Sequence, residues 1–244
     1  MTMPTSFDVL ADLRVAALVG ANSIEDQQRV QRIAAEAAAS FTTMAQVRNG
    51  VTIFGSAQAA AETRWGALAE EVAEQLAAAG FTVITGGGPG LMAAANRGAR
   101  GAGAASVGLT IELPHDEPPN VHLTLRVPFH YFFLRKLALV RHSCAFVLLP
   151  GGVGTLDELF EALNLRRTNR LDSFPVILVG AEYWLGLVAW LRDTAVPGGT
   201  ITPEDVAGLT VTDDPLEVVA RVAHCHATLC QALGIALPPS TGAQ

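Results

Sequence analysis

Short apolar runs alternate with amphipathic segments along most of this 244-residue chain. The runs are rich in Val, Ile, Leu and Phe and are bounded by Gly, Pro or Ser, which is typical of buried strands. The segments between them repeat apolar residues every three or four positions, as amphipathic helices do. The predicted strands span residues 51–54, 81–84, 106–111, 123–127, 144–149, 175–179 and 209–211. The predicted helices span residues 26–47, 62–79, 91–100, 131–141, 184–192 and 216–230, with another that follows the fifth strand and ends near residue 167.

This alternation predicts an α/β fold: a Rossmann-like, doubly wound, mostly parallel sheet with helices on both faces. The first predicted helix precedes the first strand and therefore forms an N-terminal helical arm. We expect the arm to occupy residues 1–50, the Rossmann-like domain residues 51–232, and a flexible tail residues 233–244.

Three turns that contain glycine follow predicted strands. They lie at Gly55, at residues 86–90 and at residues 151–154. The carboxyl ends of parallel strands face the same edge of a sheet, and ligands of such sheets bind at that edge, near the point where the strand order reverses. We therefore expect the three turns to line one cleft.

The most informative segment is residues 150–158, in which a glycine turn leaves a buried-type strand and opens a helix. Glycines let a ligand approach the backbone closely, and the free N–H groups and dipole of a helix N-terminus favour an anion such as phosphate. Two acids, Asp157 and Glu158, are predicted to lie in the first turn of that helix. Either they only stabilise the helix N-terminus electrostatically, or one of them acts on the ligand. The segment lacks the G-x-x-x-x-G-K-[ST] spacing, which argues against a nucleoside triphosphate with magnesium.

Composition and charge narrow the class of protein. Hydrophobic residues make up 50% of the chain and charged residues 16%, which fits a globular protein with one sizeable core. The formal net charge is −7 and no run of Lys or Arg occurs, which argues against nucleic acid or a membrane as a partner. We expect a cytoplasmic protein, because no apolar stretch reaches membrane-spanning length and no signal-peptide pattern is present. Cys144, Cys225 and Cys230 show no disulfide-framework spacing and fit a reducing compartment.

Arg135 and Lys136 follow an aromatic run at residues 129–133, and Lys136 is the only lysine in the chain. Two adjacent bases are often no more than a solvated helix face. The aromatic run indicates partial burial instead, where an unpaired base is costly. A carboxylate or phosphate partner is then expected.

Two other patterns are weaker. Residues 88–93 match the dinucleotide fingerprint loosely, but they follow the second predicted strand instead of the first, which argues against NAD or FAD. A tight turn without ligand and a phosphate site shared with the other glycine turns are the alternatives. His226 and Cys230 share a helix face but offer only two metal ligands, so no metal site is expected. No Ser-His-Asp or G-x-S-x-G pattern points to ester hydrolysis.

Taken together, these motifs resemble the Lonely Guy family, the cytokinin riboside 5′-monophosphate phosphoribohydrolases once labelled lysine decarboxylases. The family hallmarks are a GGGxxGLM-type loop, an Arg-Lys pair and PGGxGTxxE. Here they stand at Gly86–Met92, at Arg135 and Lys136, and at Pro150–Glu158. The similarity extends from about Arg29 to Leu191, and the segments at residues 132–136 and 156–163 look like the longer bacterial subgroup.

The resemblance implies an enzyme that hydrolyses the N-glycosidic bond of a purine nucleoside 5′-monophosphate, with or without an N6 substituent, to free base and ribose 5-phosphate. Breaking that bond develops positive charge on the ribose, so a carboxylate beside C1′ can stabilise the charge and orient water. The resemblance assigns this role to Glu158, and to Arg135 the role of offsetting negative charge on the departing base or the 5′-phosphate. The other residues implied to bind phosphate or substrate are Gly55, Ser56, Gly87, Gly88, Lys136, Pro150, Gly151, Gly152, Val153, Gly154 and Thr155. A homo-oligomer, dimer or higher, is also implied.

No cofactor is expected. Decarboxylation with pyridoxal phosphate needs a Schiff-base lysine, and Lys136 is the only candidate. Beside Arg135 on a phosphate-facing edge, that lysine is better interpreted as an anion binder.

The chain also departs from the family pattern. Gln58 stands where Arg is usual, Ala93 where Glu is usual, and the loop at residues 116–117 is acidic where a Gln is usual. Loss of a cation and an acid from the cleft supports an alternative, a non-catalytic nucleotide or molybdenum-cofactor carrier on the same fold. The retained Arg135 and Glu158 favour the enzyme.

Overall fold

The structure is a computed structural model that describes residues 24–112, 118–168 and 174–232. Its helices are α1 (Ile24–Met44), α2 (Arg64–Ala78), α3 (Leu91–Gly101), α4 (Phe132–Arg141), α5 (Val153–Arg167), α6 (Ala181–Trp190), α7 (Pro203–Ala207) and α8 (Pro215–Ala232). Its strands are β1 (Gly50–Phe54), β2 (Thr82–Thr85), β3 (Ser106–Ile111), β4 (Leu125–Phe129), β5 (Ala145–Leu148), β6 (Val176–Leu178) and β7 (Leu209–Val211). A π-helical turn, Leu191–Ala195, extends α6. The predicted flexible tail and the acidic loop at residues 116–117 lie outside the described residues.

Within the described ranges, seven parallel strands form one sheet in the order β4-β3-β2-β1-β5-β6-β7. The strand order reverses between β1 and β5, where Val51 pairs with Ala145 and Phe54 with Leu148. Both strands are buried along their whole length, as expected for central strands that are covered on both faces. The doubly wound α/β fold is confirmed, and the β1/β5 junction is its switch point.

Apolar side chains pack on both faces of the sheet. On one face α2, α3 and α8 contribute fully buried residues such as Leu76, Ala95 and Val222. On the other face α4, α5 and α6 contribute residues such as Leu159 and Trp184. Because burial of apolar surface is the main stabilising term in folding, these two layers hold the carboxyl ends of the strands in fixed positions.

Helix α1 packs against β4 and α4. The Glu36 carboxylate accepts hydrogen bonds from the backbone N–H groups of His130 and Tyr131, at 3.2 and 3.1 Å. These groups lie at the start of α4, where an acid satisfies unpaired donors and interacts favourably with the helix dipole. The first helix therefore stabilises the beginning of the helix that carries Arg135 and Lys136. The domain boundaries proposed from the sequence stay predictions.

Several elements differ from their predicted bounds; helix α6, for example, begins at Ala181, three residues before its predicted start. Strand β4 was expected at residues 123–127, but it begins two residues later and continues through Pro128. Proline lacks an N–H donor, yet an edge strand tolerates it because one side of such a strand needs no partner. No prediction covered α7, which Thr202 and Asp205 start with a capping box. None of the helices in the described part of the chain is long and apolar enough to cross a membrane.

Candidate active site

The three glycine turns meet at the carboxyl edge of the sheet, as expected. The backbone N–H of Ser56, after β1, donates to the carbonyl of Pro150, after β5, at 3.1 Å. The N–H of Leu91, the first residue of α3, donates to the Ser56 carbonyl at 3.0 Å. Gly55 permits this approach, since a Cβ there would lie 2.9 Å from the Cβ of Leu91. The turns after β1, β2 and β5 therefore form one surface at the switch point.

The side chain of Ser56 fixes the first of these turns. Its Oγ accepts hydrogen bonds from the backbone N–H groups of Gln58 and Ala59, both at 3.1 Å. A hydroxyl that accepts in this way still has its own hydrogen to donate. Gln58 is exposed, and Ala93 is half-buried in the first turn of α3. Neither departure from the family pattern brings a charge to this edge.

The turn between β5 and α5 presents open backbone. Gly152 caps α5, and the N–H groups of Thr155 and Leu156 donate to its carbonyl at 3.0 and 3.1 Å. The N–H groups of Val153 and Gly154 precede these first intrahelical bonds. A Cβ at Gly152 or Gly154 would meet nothing within 4 Å. Open space before a helix N-terminus suits an anion.

The two acids lie one turn further along the helix than predicted. Helix α5 begins at Val153, so Asp157 and Glu158 fall in its second turn, and its first turn carries no acid. The prediction of a first-turn carboxylate was wrong, because the chain becomes helical directly after Gly152. The influence of the helix dipole falls off within the first turn, so electrostatic capping no longer explains these acids. Glu158 is buried on the same side of α5 as Thr155, three residues earlier.

The turn between β2 and α3 needs glycine for its backbone. Gly87 and Gly90 have φ angles of +73° and +67°, a region that other residues rarely adopt. A Cβ at Gly90 would lie 2.5 Å from the carbonyl oxygen of Ser56 and 2.7 Å from that of Ala57. Only glycine fits where this turn crosses the turn after β1.

A buried polar cluster lies under this turn. The Oδ1 of Asn96 accepts from the Thr85 hydroxyl at 2.6 Å and from the Asn120 amide at 3.0 Å. The Asn96 amide donates to the Ser106 hydroxyl at 2.8 Å. The Asn120 amide also donates to the carbonyl of Gly88 at 2.9 Å, which fixes the turn from below. None of the sequence motifs includes this cluster, although an Asn on the buried stripe of α3 is a signal for it.

Arg135 reaches the site from α4. Its Nε donates to the Leu109 carbonyl at 2.7 Å, and a Cβ at Gly86 would collide with its guanidinium. Burial lowers the pKa of Arg135, and the charge of Glu158 raises it in part. An arginine nevertheless stays protonated in proteins. The site therefore holds a fixed cation within electrostatic range of Glu158.

Lys136, the next residue, pairs with carboxylates of α5. Its Nζ lies 2.8 Å from Asp157, 2.9 Å from Glu161 and 3.9 Å from Glu158. Burial is the largest single influence and lowers the pKa of Lys136, but its hydrogen bonds to Asp157 and Glu161, together with the charges of Glu158 and Glu161, raise that pKa overall. Of the two partners expected from the sequence, carboxylate and phosphate, the carboxylates are present. They join α4 to α5 beside Glu158.

Glu158 is the most unusual group of the site. Its side chain is 11% exposed, and its buried Oε2 has no hydrogen-bond partner among the described residues. Burial is the main cause that raises the pKa of Glu158 to about 7, while Lys136 lowers it, Glu161 raises it and Arg135 lowers it. A strongly shifted carboxyl with a specific charge partner is typical of a functional site. One oxygen of this buried carboxyl is therefore left without a hydrogen-bond partner among the described residues.

His226 and Cys230, which were expected to offer too few ligands for a metal site, make other contacts. His226 Nε2 lies 3.0 Å from Asn49 Oδ1 and 3.7 Å from Cys230 Sγ. The described residues include no cluster of three or more His, Cys, Asp or Glu that could hold a metal ion.

Sequence comparisons identify relatives of this chain. The model of the family described as "Possible lysine decarboxylase" matches residues 92–222. A cytokinin riboside 5′-monophosphate phosphoribohydrolase of Rhodococcoides fascians is 31% identical over 187 residues, which cover 74% of this chain and 94% of that protein. The Mycobacterium tuberculosis protein of the same name is 33% identical over 150 residues, 60% of this chain and 79% of that protein. Both relatives are bacterial.

Solved structures share the fold at lower identity. The protein TM1055 aligns with a TM-score of 0.56 and 24% identity, over 72% of this chain and 99% of the other. The molybdenum-cofactor carrier protein of Chlamydomonas reinhardtii aligns with a TM-score of 0.53 and 22% identity, over 74% of this chain and 99% of the other. At this identity the likeness concerns the fold.

Proposed function

Because this chain belongs to the Lonely Guy family, we propose that it hydrolyses the N-glycosidic bond of a nucleoside 5′-monophosphate, releasing free base and ribose 5-phosphate. We further propose that the base is a purine, with or without an N6 substituent, as the names of the relatives suggest. One observation carries the proposal: a buried carboxyl, one oxygen of which has no hydrogen-bond partner among the described residues, lies one helical turn from an open helix N-terminus.

The 5′-phosphate would bind at the start of α5. The N–H groups of Gly152, Val153 and Gly154 and the hydroxyl of Thr155 would donate to its oxygens. The turns at Gly55 and Ser56 and at Gly87 and Gly88 would border the same site. The chain has a net charge of −7, so a phosphate must be held by such local groups and not by the overall field of the protein.

The spacing along α5 fits a ribose 5-phosphate. Gly154 and Glu158 are four residues apart, which places them on one side of the helix with a rise of about 6 Å between them. A ribose that lies along the helix, with its phosphate at the N-terminus, brings C1′ to the carboxyl of Glu158. The anomeric carbon and the phosphate are then held by the same rigid element.

Glu158 would act in its ionised form. As the glycosidic bond breaks, positive charge develops at C1′ and the ring oxygen, and the carboxylate stabilises it. The same carboxylate accepts a proton from the attacking water, which adds to C1′ while the bond electrons leave with the base. A pKa near 7 makes Glu158 a stronger base than an ordinary carboxylate at neutral pH.

The two positively charged residues of the site, Arg135 and Lys136, would have different roles. We propose that Arg135, held by the Leu109 carbonyl, offsets the negative charge of the departing base or the phosphate. Lys136 is already occupied by Asp157 and Glu161, so its proposed contribution to substrate binding is to keep Glu158 charged beside C1′. Hydrolysis of this kind needs no cofactor.

We also propose that a second copy of the chain covers α4 and α5 near the site. Phe132, Phe133 and Leu137 on α4 are 56%, 53% and 49% exposed, and Phe160 on α5 is 43% exposed. The ion pairs of Lys136 join these two helices. Light scattering of the purified protein tests this, and a monomer at micromolar concentration would contradict it.

Release of free base tests the activity. AMP, GMP, CMP, UMP and N6-isopentenyl-AMP are incubated with the wild-type protein and with Glu158→Gln, and the base is quantified by liquid chromatography. We expect base release by the wild type and a loss of at least about 100-fold in kcat for the variant, the usual effect of removing a general base. Glu217→Gln is a matched control, because that partly exposed carboxylate lies on the far helix α8 and contacts Arg221 on the same helix and Thr212 just before it.

The same experiment distinguishes the proposed enzyme from a non-catalytic carrier. Equal turnover by Glu158→Gln and the wild type would remove Glu158 from the mechanism. No base release from any nucleotide, together with a pterin in the mass spectrum of the purified protein, would favour a carrier.

A further inference from the structure

A hydroxyl outside the sequence motifs contacts the glycine turn after β5. Tyr183, in the first turn of α6, donates its phenolic O–H to the carbonyl oxygen of Gly151 at 2.6 Å. The two residues are 32 positions apart and are brought together because β5 and β6 are neighbours in the sheet. None of the motifs discussed above includes this tyrosine.

The start of α6 is itself held firmly. The carboxylate of Asp213 accepts hydrogen bonds from the backbone N–H groups of Gly180 and Ala181, at 2.6 and 2.8 Å. The fully buried indole of Trp184 donates to the carbonyls of Leu148 and Val179, both at 3.1 Å. These contacts fix α6 relative to β5 and β6, so the backbone of Tyr183 has a defined position. A residue held in this way can impose its geometry on a flexible neighbour.

The Gly151–Gly152 peptide needs such a constraint. Neither residue has a Cβ, so rotation of the peptide plane between them meets little steric resistance. In a trans peptide the carbonyl and the following N–H point in opposite directions. With the Gly151 carbonyl directed at Tyr183, the Gly152 N–H is directed away from it. Gly152 is exposed, and the space beside it is open.

We propose that Tyr183 is a positioning residue for the phosphate subsite. Its hydroxyl holds the Gly151–Gly152 peptide in the orientation that aims the Gly152 N–H, together with those of Val153 and Gly154, at a bound phosphate. The proposal rests on the phosphate subsite of the proposed function, but it is independent of whether the bound sugar phosphate is hydrolysed.

The test is binding of ribose 5-phosphate to Tyr183→Phe. The variant keeps the ring, which is 45% exposed, and removes only the hydroxyl. One oriented donor corresponds to about a 3- to 10-fold change in affinity, so we expect the Kd from calorimetry to rise by that factor. The KM for the nucleotide rises equally with kcat nearly unchanged, because the contact is the same in the ground and transition states. The thermal midpoint stays within about 2 °C of the wild type.

The matched control is Glu182→Gln. The neighbouring residue pairs with Arg64, and both side chains are largely exposed, so this variant disturbs the same end of α6 without touching Gly151. Its Kd for ribose 5-phosphate is expected to equal that of the wild type. In ¹⁵N spectra, the Gly152 amide resonance shifts on addition of ribose 5-phosphate to the wild type and shifts less in Tyr183→Phe.

Two results overturn the proposal: a Kd for Tyr183→Phe within twofold of the wild type, or a wild-type protein that binds no ribose 5-phosphate. A protein that binds ribose 5-phosphate but hydrolyses no nucleotide contradicts the proposed activity alone. In that case the ratio of the two Kd values still decides the role of Tyr183.

Discussion

Replacing Glu158 by Gln should stabilise the protein at alkaline pH more than at acidic pH. The carboxyl is buried, and its pKa is raised from the ordinary 4.5 to about 7. A raised pKa in the folded state means that the folded protein binds this proton more tightly than the unfolded chain does. The free energy of unfolding therefore contains a favourable contribution below pH 4.5 that is lost as the pH rises to 7.

The size of this contribution follows from the pKa difference. Two and a half pH units at about 1.4 kcal/mol each give about 3 kcal/mol in total. Most of this loss, about 2–3 kcal/mol, falls between pH 5 and pH 8. Glutamine has nearly the same shape but does not ionise, so Glu158→Gln escapes the loss. The stability of the variant relative to the wild type should rise by about 2–3 kcal/mol over this range.

Urea unfolding at pH 5, 6.5 and 8 measures this difference. Wild type and variant are compared at equal protein concentration, because association of subunits also contributes to stability. Glu217→Gln, at a partly exposed carboxylate on α8, controls for the general effect of removing a negative charge. A difference between Glu158→Gln and wild type that stays constant within about 0.5 kcal/mol, or that falls as the pH rises, would show that burial does not raise the pKa of Glu158.

Two further predictions concern the charge on Lys136 and the backbone at Gly90. The wild-type kcat/KM should rise with pH to a plateau above pH 7, as Glu158 ionises. Lys136→Met should move the midpoint of this rise to higher pH, because Lys136 lowers the pKa of Glu158. A midpoint that is unchanged or lower in the pH–rate profile of the variant would contradict this. Gly90→Ala should lower the free energy of unfolding in urea by at least about 3 kcal/mol, since its Cβ would meet the Ser56 and Ala57 carbonyls. Gly80→Ala is the control: with φ +87° and open space around it, it should lower the free energy of unfolding by about 1 kcal/mol. Equal losses in the two variants would show that the turn at Gly90 can shift.

The sequence predicted the parts of this protein whose signals are local. Each glycine turn follows an apolar strand, so their meeting at one edge could be inferred from the parallel sheet alone. The segment at residues 150–158 likewise carries its own pattern. Even there the start of α5 was misjudged by one turn, because the exact residue at which a glycine turn becomes helical depends on contacts of the backbone.

Contacts between distant residues were not predictable in this way. Asn96 and Asn120 lie 24 positions apart, and Tyr183 lies 32 positions from Gly151. Lys136 was expected to pair with an acid or a phosphate, but its choice of Asp157 and Glu161 depends on how α4 packs beside α5. Helix α7 was overlooked although Thr202–Asp205 carries a capping signature, which shows that a short helix is easily passed over between longer elements.

Pro128 in β4 has a consequence for self-association. An outer strand with free N–H and C=O groups can recruit a strand from another molecule, which is a common route to aggregation. In β4 the row of free N–H groups is interrupted by Pro128, which has no hydrogen to donate, and β7 at the opposite end of the sheet has only three residues. Copies of this protein are therefore poorly suited to join by extending the sheet from one molecule into the next. Fibrillar growth along the strands is therefore discouraged.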